Sequence, residues 1–232
     1  MNQYTKFFLK THFIELILSI PKTVYFNFKV LPIKNAIKLP YIVSYHVRLR
    51  GVNKKTFLTM TDNLTTFSMR IGFGDSVTAR RESSRSLICI ESGGVVKVGK
   101  NLGLSQGCVL YVNNATLALG DKFRCNYSTT IDCSDSNIEI GDNVVLGWNT
   151  TIKNNDGHYI IENGKDSTIS KKIIIEDHVW LCANSTVLKG TCVKKDSVLA
   201  YGALLTKTID QENILYGGVP AKMIKNNINW RE

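Results

Sequence analysis

Acidic residues are almost missing from the first sixty positions of this 232-residue chain. Ten Lys or Arg stand there against one acid, Glu15. The remaining positions hold 19 basic and 18 acidic side chains, so the N-terminal segment supplies +9 of the formal charge of +10. Three partners would suit such a field: an anionic membrane face, an anionic glycan or lipid-pyrophosphate acceptor, or nucleic acid; solubility alone also accounts for it. Nucleic acid is set aside because no recognition motif accompanies the charge. No uncharged apolar run reaches about eighteen residues, the length that reads as a transmembrane helix. The apolar stretch at 13–20 lies beside Lys10, His12 and Glu15 with no small-residue cleavage site after it, so no cleaved signal peptide is expected. The six cysteines include no CxxC pair and no Cys/His ligand spacing. They read as small buried hydrophobes in a reducing cytoplasm, with Cys125 pointing inward. Proline is also scarce, four in all, and three of them (Pro21, Pro32, Pro40) fall within the first forty residues.

What is present is a period of six. From Ile140 the chain reads IGDNVV, LGWNTT, IKNNDG, and from Ile175 it reads IEDHVW, LCANST, VLKGTC, VKKDSV, LAYGAL, LTKTID. The first position of each six is aliphatic throughout. The fifth is mostly small or branched: Val144, Thr150, Val179, Ser185, Thr191, Ser197, Ala203. This spacing is neither helical nor a simple alternation; it is the hexapeptide signature of a parallel β-helix. Three rungs close one triangular coil of about eighteen residues, and no coil can bury its own core, so the coils depend on stacking. Earlier anchors repeat the pattern more loosely: Val98, Leu119 and Ile140 are 21 apart, whereas Ile175 and Val193 are 18 apart.

In chain order, residues 4–20 read as a helix ended by Pro21. The proline-punctuated stretch that follows reads as extended chain that covers the open end of the prism. Residues 1–55 are thus expected as a basic N-terminal helix and capping segment, 56–210 as the β-helix, and 211–232 as a tail ending in a short helix. The polar run at 79–86 reads as a protruding turn. The 35-residue gap from Ile140 to Ile175 requires a loop to leave the prism at about 154–171. A long loop in a regular solenoid is usually functional. This one holds NNDGHYI and therefore His158, whose imidazole can take a proton from a hydroxyl near neutrality.

The run DGH, then IEDHVWLCANSTVLKGTCVKKDSVLAYGALLTKTI, then GGVPAKMIK, resembles the hexapeptide-repeat acyltransferases over about residues 96–225. Within them it resembles the sugar and polysaccharide O-acetyltransferases, including galactoside and maltose acetyltransferases. The N-terminal NFKVLPIKNAIKLPYIVS looks like that of bacterial capsule and surface-glycan acetyltransferases. The resemblance implies an all-β fold, a left-handed parallel β-helix. It implies a homotrimer with active sites between neighbouring prisms, acetyl-CoA as cosubstrate, no metal, and His158 as general base. Trp180 falls on the family's thioester and acceptor tryptophan. Ala183, Tyr201, Thr206, Lys207 and Lys222 fall on coenzyme-contacting positions. Asn126 matches an acceptor-binding asparagine, the acidic acceptor residue lies at Asp132 or Asp135, and Asp156 is a candidate to orient the imidazole. Three departures stand out: Cys182 replaces a usual glycine, Tyr201 stands where a small residue is common, and KKDS (194–197) replaces a G-D-x-S turn.

Other readings of the same fold fit less well. A zinc carbonic anhydrase needs three converging histidines, and His12, His46, His158 and His178 lack the paired spacing. A non-catalytic structural β-helix would not need the DGH, VW, LTK and PAK set together. The expected function is acetyl transfer to a hydroxyl of a bacterial surface-polysaccharide sugar or its lipid-linked repeat unit. A small sugar, amino-sugar or drug acceptor is the alternative. The expected location is cytoplasmic, peripheral at the inner face of the membrane.

Overall fold

A flat rung of two to five residues exposes two rows of backbone polar groups, so its stability requires an identical rung above and below. The computed structural model, described here for residues 10–74 and 85–231, is built on that requirement. Among these residues the strands stack into three sheets of nine, seven and six strands, the faces of a triangular prism. The first face begins at Tyr41–Val43, the second at Arg48–Arg50 and the third at Phe57–Thr59. Pairing within all three faces is parallel and in register, apart from the last strand of the first face. On the first face Cys125 lies over Leu146, then Leu181, then Leu199. The second face stacks Ile131, Ile152, Val187 and Leu205, and the third Leu119, Ile140, Ile175 and Val193. All twelve are at most 3% exposed and form one continuous core. The fold is the left-handed parallel β-helix of hexapeptide-repeat proteins.

The corner residues follow from the same geometry. Each corner needs a residue in the left-handed region, supplied along one corner by Asn101, Lys122, Asn143, His178 and Asp196, all with φ between 53° and 58°. The fifth positions Thr150, Ser185 and Thr191 are buried, and each hydroxyl donates back to the carbonyl three residues earlier, Gly147, Cys182 and Leu188. The repeated Gly-Asp phrase is a ladder between coils. Asp142 Oδ1 accepts from the Asp121 N–H at 2.7 Å, and Asp177 Oδ1 accepts from the Asp142 N–H at 2.7 Å. A Cβ at Gly141 would lie 2.2 Å from Asp177 Oδ1, which is why glycine precedes the aspartate. In the KKDS turn the next coil offers Lys195 rather than aspartate. There the carboxylate moves to Glu176, which accepts from Lys194 Nζ at 2.6 Å and from the Lys195 N–H at 3.1 Å.

Several boundaries differ from expectation. The coils begin at Tyr41, not Thr56, because Tyr41–Val43 pairs with Met69–Ile71 and Arg48–Arg50 with Leu87–Cys89. They also continue past 210. Leu215–Gly217 pairs in parallel with Val198–Leu199, and Lys222–Lys225 folds back antiparallel where a short terminal helix was expected. The expected turn at 79–86 lies mostly outside the described residues. The N-terminal helix, α1 (Phe13–Val30), runs straight through Pro21. An interior proline costs a helix about 3 kcal/mol, so something must hold α1 against that loss. The first strand does. Tyr41 and Val43 turn their outer N–H and C=O groups away from the prism. Asn27 accepts from the Tyr41 N–H and donates to the Tyr41 C=O; Thr23 Oγ1 does both for Val43; Ser19 Oγ accepts from the Tyr45 N–H. Four helical residues rise about 6 Å and two strand residues about 6.6 Å, so the steps 19, 23, 27 match 45, 43, 41. A helix face thus replaces the missing strand. A short helix, α2 (Ile33–Ala36), then leads into that strand.

Candidate functional site

The second face ends at a corner where the regular chain stops at Thr151–Lys153 and resumes at Ile173–Ile175. Between them the chain leaves the prism and doubles back as a two-stranded hairpin, Ile161–Glu162 against Lys165–Asp166. Its root is tightly built. Asn154 is fully buried and its side chain accepts from the Ser134 N–H and donates to the Ser136 C=O, binding the loop to the coil beneath. Asn155, also buried, donates to Asp135 Oδ2 and accepts from the Gly157 N–H at 2.6 Å. Lys189 Nζ donates to both Asp156 Oδ2 and the Thr168 C=O, joining the two arms of the loop. His158 follows on this scaffold with its imidazole exposed. Exposed Tyr159, Ile160 and Ile161 come directly after it.

Asp156, the candidate to orient His158, is ion-paired through Oδ2 with Lys189. The two candidate acceptor carboxylates divide their work. Asp132 points out from the second face, paired with Lys153 Nζ and accepting from Ser134 Oγ. Asp135 sits at the loop corner and holds Asn155 and Asn114.

The remaining candidates lie elsewhere. Asn126, Ala183 and Tyr201 occupy turns at the opposite edge of the second face. Asn126 Oδ1 accepts from the adjacent Tyr127 N–H. Ala183 is buried against Gly147, where a Cβ would lie 2.4 Å from the Ala183 nitrogen. Tyr201 is exposed, edge-on to Trp148 at 6.5 Å between ring centroids. The strand joining the two corners, Thr130–Ser134, spans about 16 Å at the usual rise of a β-strand. Trp180 lies on the first face, half-exposed, 5.9 Å from Trp230, which itself stacks on His178 at 4.3 Å. Thr206 and Lys207 follow the last strand of the second face and are exposed, as is Lys222 on the terminal strand. One prism therefore collects His158, Asp135 and Asp156 at one corner and Asn126, Ala183 and Tyr201 at another.

No protein-family model matches the chain. It is 30% identical over 135 residues to a galactoside O-acetyltransferase of Lactococcus lactis, covering 57% of this chain and 63% of that protein. It is 29% identical over 138 residues to a galactoside O-acetyltransferase of Escherichia coli, covering 58% and 65%. With a polysialic acid O-acetyltransferase of Neisseria meningitidis it shares 33% identity over 95 residues, covering 40% and 44%. Over these stretches the chain is similar in sequence to sugar O-acetyltransferases. It spans less than two thirds of the length of these curated relatives. Among solved structures its fold is similar to the polySia-specific acetyltransferase NeuO, with TM-score 0.51, 19% identity, and 83% and 78% of the two chains covered. The polysialic acid O-acetyltransferase OatWY gives TM-score 0.50, 20% identity, and 83% and 90% covered.

The sequence points to His158 but not to the groups that hold its loop. Asn154 and Asn155 stand directly before the DGH run, and two consecutive asparagines at the exit from a solenoid were the available signal. Lys189 and Trp148 carried none, because their partners are 33 and 53 residues away in sequence. Cys182, at the position of the usual glycine, is partly buried, and burial pushes its thiol up to about 11. A thiol that is neutral at physiological pH is a poor nucleophile.

Proposed function

We propose that this protein is an O-acetyltransferase that moves an acetyl group from acetyl-CoA to a hydroxyl of a bacterial surface-polysaccharide sugar or its lipid-linked precursor, at the inner face of the membrane. The observation that carries this reading is the rigidly rooted loop presenting an exposed His158 in a chain similar in sequence to sugar O-acetyltransferases. His158 accepts the proton of the acceptor hydroxyl as that oxygen attacks the thioester carbonyl. A backbone N–H stabilises the tetrahedral oxyanion. On collapse the C–S bond breaks and the imidazolium returns its proton to the leaving sulfur. Acetyl-CoA would supply the activated acyl group. Trp180 and Tyr201 offer apolar surface and Ala183 a backbone group suited to its pantetheine arm, and Thr206, Lys207 and Lys222 offer a hydroxyl and two exposed ammonium groups suited to its phosphates. Asn126 and either Asp132 or Asp135 would meet the acceptor. No acyl-enzyme is needed, in keeping with the raised Cys182 thiol.

The active unit on this reading is a homotrimer. Two observations favour it. The His158 loop and the Asn126–Tyr201 edge lie at different corners of one prism, so the loop of one copy would face the edge of the next. The exposed Tyr159, Ile160 and Ile161 beside His158 also call for a cover.

The test has two parts. Purified protein, sized by light scattering, is assayed for free-thiol release from acetyl-CoA with a panel of glycan acceptors. Surface glycan from cells carrying wild type or His158→Ala is then analysed by mass spectrometry. Acetyl groups lost only in the variant, with its trimer and melting temperature intact, are the expected result. Acetylation that survives the substitution would remove His158 as the base. A protein that releases no thiol with any acceptor would favour a non-catalytic β-helix.

A further inference from the structure

The cap of the prism is turned inside out. Helix α1 buries Ser19, Thr23 and Asn27, together with Phe26 and Val30, against the first coil. Every one of its exposed residues is apolar or aromatic, among them Phe13, Ile14, Ile17, Leu18, Ile20 and Phe28. Ile14 is 73% exposed and Phe13 63%. At 100° per residue these side chains form one continuous stripe, so the helix presents a single apolar face to its surroundings. Ile33 and Ile37, 70% and 65% exposed, extend this apolar surface beyond the helix. Water-exposed apolar surface on this scale marks a contact site.

The charges around the stripe point to what covers it. Lys22 and Lys29 border it on the helix, and Lys10, Lys34 and Lys38 are exposed at its two ends. The one acid of the segment, Glu15, faces inward, accepting from Ser44 Oγ and pairing with His12, each at 2.8 Å. The outward surface of residues 10–38 therefore carries cations and apolar groups, with no carboxylate. Among the described residues no helix is long and apolar enough to cross a membrane. A helix whose exposed face is apolar and whose margins are lysine is the pattern that lies in the interface of an anionic bilayer.

We propose that α1 and α2 form a docking surface for an anionic phospholipid membrane, with the side chains of Ile14, Ile17 and Leu18 entering the headgroup boundary and Lys34 and Lys38 meeting lipid phosphates. The prism is then held by its N-terminal end, with its axis rising from the membrane. The inference deepens the membrane location proposed above, and it rests on the cap and not on the His158 loop.

The experiment is vesicle co-sedimentation of the full chain. Vesicles of phosphatidylcholine alone are compared with equal parts phosphatidylcholine and phosphatidylglycerol, at low and high salt. Wild type is expected to sediment with the anionic vesicles, to release with salt, and to remain in solution with the neutral ones. Lys34→Ala/Lys38→Ala is expected to bind about 30-fold more weakly, from about 1 kcal/mol per lysine. Ile14→Glu/Leu18→Glu is expected to abolish binding. Both variants alter exposed side chains, and their melting temperatures serve as the fold control. Equal sedimentation with the two lipids, or binding untouched by the lysine pair, overturns the proposal. So does a wild-type assembly that ignores vesicles but falls apart in Ile14→Glu/Leu18→Glu, which would assign the stripe to a second copy of the chain. Thiol release is measured separately, so loss of either property leaves the other interpretable.

Discussion

Asn27→Ala is the substitution that tests how the prism is closed. Asn27 is fully buried, and its amide is the partner of two backbone groups at once, the Tyr41 N–H at 3.2 Å and the Tyr41 C=O at 2.8 Å. Alanine leaves both groups buried with no partner. An orphaned buried polar group costs about 1–3 kcal/mol, so the pair amounts to about 2–6 kcal/mol, with the lower figure applying if water enters. In a chain of this size each kcal/mol lowers the melting temperature by about 2–4 °C, so a fall of at least about 4 °C is expected. Thr23→Val is the companion variant. It keeps the shape of the side chain and removes only the hydroxyl that serves the Val43 N–H and C=O, with a loss of about 1–3 kcal/mol. Thermal and urea unfolding followed by circular dichroism, at one protomer concentration for all proteins, measure both. The midpoint should fall without a change in slope. A shift below about 1 °C in both variants would mean that α1 is not the group that completes the edge strand.

Three further outcomes are expected. Asn155→Ala frees the Gly157 N–H and the root of the His158 loop, so the maximal rate of acetyl transfer should drop at least tenfold with little change in acceptor KM. The same substitution should have no further effect in a His158→Ala background; an unchanged rate in the single variant would show that Asn155 does not position the loop. Cys182, with its thiol raised to about 11 by burial, should resist iodoacetamide at neutral pH, and Cys182→Ala should retain thiol release; rapid modification of Cys182 detected by peptide mass spectrometry would contradict this. Burial alone would raise the Glu15 carboxyl, but hydrogen bonds from His12 and Ser44 outweigh it and hold the carboxyl below its ordinary value. A group lowered in the folded state contributes stability above its unfolded pKa of about 4.3 and loses it as pH falls through the folded value. The melting-temperature gap between wild type and Glu15→Gln should therefore be widest near neutrality and close in acid; a constant gap would mean that the carboxylate is not what α1 depends on.

The regular part of the molecule was legible because each rung obeys a local rule. Ile140, Leu146 and Ile152 needed no knowledge of one another to be recognised as inward residues, since period six alone assigns the side of the backbone. His158 was legible for the opposite reason: it stands where the period fails. The cap was misread because its rule is not local. Pro21 is a sound stop signal for an isolated helix, and nothing in residues 13–30 announces that Ser19, Thr23 and Asn27 will meet strand edges 14 to 26 positions further on. Asp156 shows the same dependence on distant chain: its neighbour in sequence is His158, and its ion-pair partner in space is Lys189, one coil later.

By itself, then, the sequence determined the coil, its core and the exit point of the loop, since these depend on spacing within six or eighteen residues. Only the tertiary structure decided where the prism begins, how its first edge is satisfied, and which direction the helix turns its apolar face. Those outcomes depend on which backbone groups are left without partners once the coils have stacked. Leaving the five backbone groups of Tyr41, Val43 and Tyr45 unpaired, at about 1–3 kcal/mol each, outweighs the roughly 3 kcal/mol of a helical proline and the ordinary preference for burying isoleucine.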